Sequence, residues 1–469
     1  MSDAQRALPT IIQGGMGVAV SNWRLARAVA RAGQLGVVSG TGIDTVLIRR
    51  LQDGDPEGHM RRAIARFPIA GVGEEVMRRY FLPGGRAPGT PYRLLPMYKK
   101  VVSPARDRVT ILANFVEVFL AKEGHDGVVG INLLTKVQMP TLPSLYGAML
   151  AGVDYVIMGA GIPREIPGVL DALAEHKAAS IKFEVLGGAP THLTFDPADH
   201  WPSPLHGLTR PLFLPVISAA TLAATLAKKA NGRVDGFVVE GPTAGGHNAP
   251  PRGEPRLNAR GEPIYGERDV VDLAKMRELG LPFWLAGGVG SPAGLEFALA
   301  EGAAGIQVGT IFAFSEESGL APAIKRRVFA AVSAGTASVL TDPRASPTGY
   351  PFKVVDLPTL GAPSVERKRV CDLGYLRVAV QTPEGRLTYR CPAEPVEAYV
   401  GKGGDAADTV GRRCLCNGLM SDVGLGQVRE GGIEPELVTS GDELSTILAV
   451  AGDAEGYSAG QALNYLLGV

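Results

Sequence analysis

An excess of charge of either sign is missing from this sequence: 47 Lys and Arg residues stand against 47 Asp and Glu. A balanced chain has no global field to steer it towards a polyanion, so neither nucleic acid nor an acidic membrane surface is an expected partner. Long apolar runs are missing too, since none approaches the roughly 18 residues of a membrane helix. The opening MSDAQRALPT has no basic segment leading into an apolar one, and a soluble cytoplasmic protein is expected. Cysteine is absent before Cys371, which rules out a disulfide framework for the bulk of the chain. Histidine is scarce, at seven residues, so the position of each one carries information.

What is present is a repeat of short apolar runs that end in glycine or a small polar residue. They are TIIQGG from Thr10, LGVVSG from Leu35, VVGINLL from Val128, YVIMGAG from Tyr155, IKFEVLG from Ile181, LFLPVIS from Leu212, GFVVEG from Gly236, PFWLAGG from Pro282 and AGIQVGT from Ala304. Several lead into segments with helical spacing, such as NWRLARAVARAG, AATLAATLAKKANG and SPAGLEFALAEGAA. Runs that are apolar throughout, rather than alternating, predict strands covered on both faces, as in a parallel βα repeat. A TIM (β/α)8 barrel accounts for most of the first 360 residues, with a doubly wound open sheet as the competitor. Nine runs are one too many, and IKFEVLG is expected to be an added strand or one that displaces a neighbour. The barrel is preferred because the chemically distinctive residues follow several different runs, as they do where catalytic loops gather at the C-terminal ends of barrel strands.

The first of these is EGPTAGGH, Glu240 to His247, directly after VDGFVV. If that run is a strand, Gly245 and Gly246 clear side chains where a flat ligand or phosphate would approach, and His247 faces the ligand. A neutral imidazole there can accept a proton from an activated carbon. A histidine that merely caps a turn is the equal alternative. LAGGVGSPAGL, from Leu285, places glycines before a helix start at Ser291 and Pro292, an arrangement that offers amide donors and a helix dipole to phosphate. QVGTIF, Gln307 to Phe312, repeats this on the next strand. Loops after strands seven and eight are the usual barrel phosphate site, and three such loops in order outweigh one.

The segments IIQGGMG, GINL at Gly130, EGPTAGGH, LAGGVGS, GIQVGTIFAFSEES and ASPTGYPFKV at Ala345 resemble the FMN-dependent nitronate monooxygenase family, formerly 2-nitropropane dioxygenases. That family also includes flavin enoyl reductases and some quinone reductases. The resemblance implies a barrel holding FMN, with His247 as catalytic base. It places Gly15, Met16 and Asn132 by the isoalloxazine ring and Glu240 at the acidic position before the histidine. Gly287, Gly288, Gly309 and Thr310 would bind the phosphate, with Gly245, Gly246 and Gln307 also touching the cofactor. The expected substrate is a small molecule: an alkyl nitronate oxidised with molecular oxygen or, alternatively, an enoyl thioester or quinone reduced with NAD(P)H. A flavin- or phosphate-binding barrel without redox turnover is a third reading, and a homodimer is allowed. Some members carry a lysine at the end of the strand before the AGGH strand, where this chain reads FLPVIS; Lys182 is a candidate substitute.

Residues 1–362 are expected to form the barrel, with a helical insertion over about 50–125, and residues 363–469 a C-terminal extension. In the insertion, Tyr80, Phe81, Tyr92 and Tyr98 suit a substrate mouth or a core. His192, His200 and His206, with Asp196 and Asp199, lack compact ligand spacing, and Trp201 is placed over the active-site face. No metal is expected. Cys371, Cys391, Cys414 and Cys416 are read as thiols, because Cys-x-Cys is tighter than zinc-site spacing, and a substrate contact by RRCLCNGL is left open. The extension also contains a hairpin, LRVAVQTPEGRLTYRC, and two terminal helices, ELSTILAVAG and SAGQALNYLLGV, expected to pack on the barrel or a second subunit.

Overall fold

The computed structural model describes residues 8–200, 207–357, 368–452 and 454–469. Eight of the nine apolar runs form one parallel sheet: β1 Ile11–Gln13, β2 Gly36–Ser39, β3 Val129–Leu134, β4 Tyr155–Gly159, β5 Leu212–Ile217, β6 Phe237–Glu240, β7 Phe283–Ala286 and β8 Gly305–Val308. Each pairs with the next in chain order from β2 onward, and β8 pairs with β1 in register Ile11 to Ile306. The seam between β1 and β2 is closed by the Gln13 amide to the Leu35 carbonyl at 2.9 Å and the Leu35 amide to the Ile11 carbonyl at 3.1 Å. The sheet is therefore a barrel, and the open-sheet competitor is set aside.

Successive strand residues point to opposite faces, so one apolar run serves two cores. Ile12, Val37, Ile157, Leu214, Val238, Trp284 and Ala286 pack together inside the barrel. Their neighbours Ile11, Val38, Val156, Phe237, Phe283 and Leu285 are buried outside it. Trp284 fills the interior, with its indole N–H donating to the Pro9 carbonyl at 2.7 Å.

The ninth run is an added strand. Ala179–Phe183 pairs antiparallel with Thr191–Phe195, outside the barrel. Its burial alternates, with Ile181 and Phe183 inside and Lys182 exposed, so it covers one face only. The hairpin forms as Val378–Gln381 with Leu387–Arg390, and Val185–Leu186 adds to its edge. The terminal helices are Thr446–Ala451 and Ala459–Leu467, which pack on helices of the barrel.

Between β2 and β3 the helices Ile43–Gln52, His59–Ile64 and Val72–Tyr80 precede Pro104–Lys122. The last takes the barrel-helix place, packing against Trp23–Arg31 and Thr141–Leu150. Its start is set by Pro104 in the first turn and by the Ser103 hydroxyl, which accepts from the Arg106 amide. Tyr80, Tyr92 and Tyr98 are buried in core, and Tyr98 donates to Thr110 Oγ1 at 2.7 Å. His200 stacks on Phe195 with ring centroids 5.1 Å apart; His206 and Trp201 lie outside the described residues. Among the described residues no group of side chains is arranged to hold a metal, and no helix is long and apolar enough to cross a membrane.

Candidate active site

The C-terminal ends of the strands open into one pocket. Gly15, Met16, Asn132, Glu240, Gly245, Gly246, His247, Gly287, Gly288, Gln307, Gly309 and Thr310 all line it. Seven loops and strand ends are thus brought to one cavity, as the barrel topology requires of residues that follow its strands.

The loop after β1 is set from below. Gln13, wholly buried, donates to Ser21 Oγ at 2.8 Å and accepts from the Val37 amide at 3.0 Å; Ser21 Oγ in turn accepts from the Met16 amide at 2.9 Å. Position 15 must be glycine because a Cβ there would stand 2.2 Å from the Asn132 Cβ. The constraint comes from Asn132 itself, whose side-chain amide donates to the Ile157 carbonyl at 3.3 Å.

His247 is anchored by residues that the sequence reading did not single out. Its Nε2 lies 2.7 Å from Ser346 Oγ, which is 2.7 Å from Thr348 Oγ1 and accepts from the Thr348 amide at 3.1 Å. The flanking backbone is tied to Phe352–Asp356 by Lys353 N–H to Gly246 O and Asn248 N–H to Pro351 O, both 2.9 Å. The ring of Phe352 meets the imidazole edge-on at 4.8 Å. Ser346 lies within ASPTGYPFKV, so the family-like segment was the signal available for it. Removing the hydroxyl leaves the ring one anchor fewer: Ser346→Ala is expected to lower kcat about 3- to 10-fold with KM within about twofold, and Ser346→Thr to restore most of the loss. An unchanged kcat in the alanine variant would remove Ser346 from any positioning role.

Burial sets the protonation states. It pushes the His247 imidazole down to about 4 and the Glu240 carboxyl up to about 8. At neutral pH the histidine is therefore an uncharged proton acceptor, and the glutamic acid mostly retains its proton. This separation is the kind that divides acid and base roles within one site.

Two expectations are corrected. Gly245 does not clear space for a ligand: a Cβ there would lie 2.9 Å from the Gly441 nitrogen, so it is chain 440–441 that demands the glycine. Gly246 is needed for its backbone, at φ +78°. Lys182 is exposed, lies 3.7 Å from Glu184 and is not at the pocket, so it cannot substitute for a pocket cation. The glycine turn after β7 and the capped start of Pro292–Ala300, with Ser291 Oγ accepting from the Gly294 amide at 3.1 Å, are as expected.

The C-terminal part of the chain supplies the rest of the wall. Tyr375, Leu376, Leu415, Cys416, Leu419 and Asp422 line the pocket, joined by residues 438–441 and 443. RRCLCNGL thus does reach the cavity, through Leu415, Cys416 and Leu419. The sequence left that contact open, but nothing local announced Tyr375, Asp422 or residues 438–441 and 443 as part of the same wall.

The residues present leave polar groups for a bound cofactor to satisfy. Gln307 Oε1 and Thr41 Oγ1 are buried without a hydrogen-bond partner, and both residues line the pocket. Buried polar atoms of this kind call for a partner from a ligand or water.

No curated protein sequence matches the chain. Among solved structures it is similar to FabK from Thermotoga maritima, at 17% identity with a TM-score of 0.48, covering 100% of this chain and 94% of that one. It is also similar to a nitroalkane oxidase from Streptomyces ansochromogenes, at 16% identity with a TM-score of 0.47, covering 100% and 97%. Neither likeness bears on substrate or mechanism at such values. The match that does speak is to the nitronate monooxygenase family model, which covers residues 205–344, the stretch holding β5 to β8, the His247 loop and both glycine turns.

Proposed function

We propose that the chain is an FMN-dependent oxidoreductase that oxidises alkyl nitronates with molecular oxygen, with His247 as its base. The observation that carries this reading is a single neutral imidazole, held by Ser346 at 2.7 Å, in a pocket it shares with the glycine turns. FMN, when bound, would supply the electron transfer, and the protein supplies position, a proton acceptor and exclusion of side reactions. The cofactor would be held by Gly15, Met16 and Asn132 near the ring, by Gln307 through its unsatisfied oxygen, and by Gly287, Gly288, Gly309 and Thr310 at the phosphate end. His247 takes the proton from the carbon beside the nitro group, or orients the anion already formed. Glu240, mostly protonated, can donate a hydrogen bond to a substrate oxygen without presenting a charge to it.

One observation favours a second reading, NAD(P)H-dependent reduction of an enoyl thioester. The pocket has an extensive apolar wall, with Leu133, Leu134, Val137, Leu376, Leu415 and Leu419, more than a short nitronate needs to bury. The two readings separate in the visible spectrum of the flavin-loaded protein under anaerobic conditions. Bleaching by propyl nitronate and not by NADPH is the expected result. Rapid bleaching by NADPH would put the reductase first, and no flavin band after adding FMN would sink both.

A further inference from the structure

We infer that segment 439–443, contributed by the C-terminal part of the chain, decides which flavin this site accepts, because the Glu443 carboxylate holds an amide that a terminal phosphate would otherwise take. The inference rests on the flavin reading above.

This short segment is tied to three of the loops that open into the pocket. It meets the His247 loop twice, where Thr439 Oγ1 accepts from the Gly246 amide at 2.8 Å and the Asp442 amide donates to Thr243 O at 3.0 Å. It meets the β8 loop where the Gly441 amide donates to Thr310 Oγ1 at 2.9 Å. It meets the β7 turn where Glu443 Oε2 accepts from the Gly290 amide at 3.3 Å. The fit is close, since a Cβ on Gly441 would stand 3.0 Å from Thr243 O.

The charges point the same way. Among the described residues lining the pocket there is no lysine or arginine, while Glu443 brings a carboxylate; burial pushes Glu240 and Asp422 up to about 8, so both are mostly protonated at neutral pH and add little charge. A phosphate there would meet backbone amides and hydroxyls only, with one amide already held by a carboxylate. Two anions cannot share one donor without strong repulsion. A phosphorylated flavin must therefore displace the Glu443 side chain, whereas an unphosphorylated flavin leaves it in place. The segment thus lowers the advantage that the glycine turns would otherwise give FMN over riboflavin.

The test is equilibrium titration of the flavin-free full chain with FMN and with riboflavin, followed by quenching of flavin fluorescence, for the wild type and for Glu443→Gln. Glutamine retains an acceptor for the Gly290 amide and removes only the charge. FMN affinity is expected to rise about tenfold in the variant, with riboflavin within about twofold and the FMN gain shrinking as salt is added. Equal changes for both flavins, no change, or weaker FMN binding would overturn the inference. Failure of the wild type to bind either flavin would overturn the flavin reading and this inference with it. Glu443→Ala checks the charge argument separately: it too should tighten FMN, and a loss confined to FMN would instead make Glu443 a support for the turn.

Discussion

His247→Ala is expected to lower kcat/KM by about 10²- to 10⁴-fold, the usual span for a positioned acid or base, while the protein still takes up flavin. The imidazole is held through Ser346 and by the ring of Phe352, yet the loop itself stands on backbone hydrogen bonds from Gly246 and Asn248. Truncating the side chain leaves those bonds in place, so the loss should be chemical rather than structural. Flavin binding that falls in step with turnover would assign His247 to the cofactor site instead. The pH profile gives an independent check. Burial lowers the imidazole from its ordinary 6.5 to about 4, so the base form persists well into acid, and the acid limb of kcat/KM should lie near 4 rather than near 6.5. The same depression means that the unfolded chain takes up this proton more readily than the folded one. Stability therefore falls as pH drops through this window, and the His247→Ala variant should lack that part of the acid sensitivity.

Asp44→Ala should produce the largest loss of stability, about 3–5 kcal/mol, the range for removing one partner of a buried ion pair. Asp44 and Arg106 are almost wholly buried and 2.6 Å apart. Burial alone would raise the Asp44 carboxyl, but the Arg106 guanidinium and the Tyr375 hydroxyl outweigh it and hold the group below its ordinary value. Arg106 also donates to the Pro96 carbonyl and to Thr110 Oγ1, and lies over the Tyr98 ring at 4.1 Å. Alanine removes the carboxylate paired with that buried guanidinium and leaves it hydrogen-bonded to neutral partners, the Pro96 carbonyl and Thr110 Oγ1. Tyr375 donates to Asp44 and lies 2.6 Å from Thr45 Oγ1. This tyrosine also lines the pocket, so the ion pair ties the C-terminal wall of the site to the helix after β2. Urea unfolding measures the effect, and a loss below about 1 kcal/mol would mean that water reaches Arg106 once the carboxylate is gone.

The histidine loop was legible before the structure because its chemistry is local: strand, glycines and imidazole follow one another along the chain. So were the glycine turns after β7 and β8. Ser346 was not, although it stands 2.7 Å from His247, because 99 residues separate the two and a serine in a turn has no periodicity to betray its target. Gly245 was read for the right property, close approach, and the wrong neighbour. Its partner, chain 440–441, lies far along the sequence, and no pattern within EGPTAGGH points to it.

Apolar runs ending in glycine, several followed by an amphipathic stretch, were enough to determine the parallel repeat, and the distinctive residues placed after several of them favoured a barrel over an open sheet. A run that is apolar throughout has no water-facing side to offer, and βα connections place all the strand ends on one rim. Tertiary structure alone decided what closes that rim. Tyr375 reaches Asp44 across 331 residues, and Thr439 reaches Gly246 across 193. Hydrophobic pattern records that a residue will be buried, but not against what; the partner is chosen by packing and hydrogen bonding among surfaces that exist only once the chain has folded.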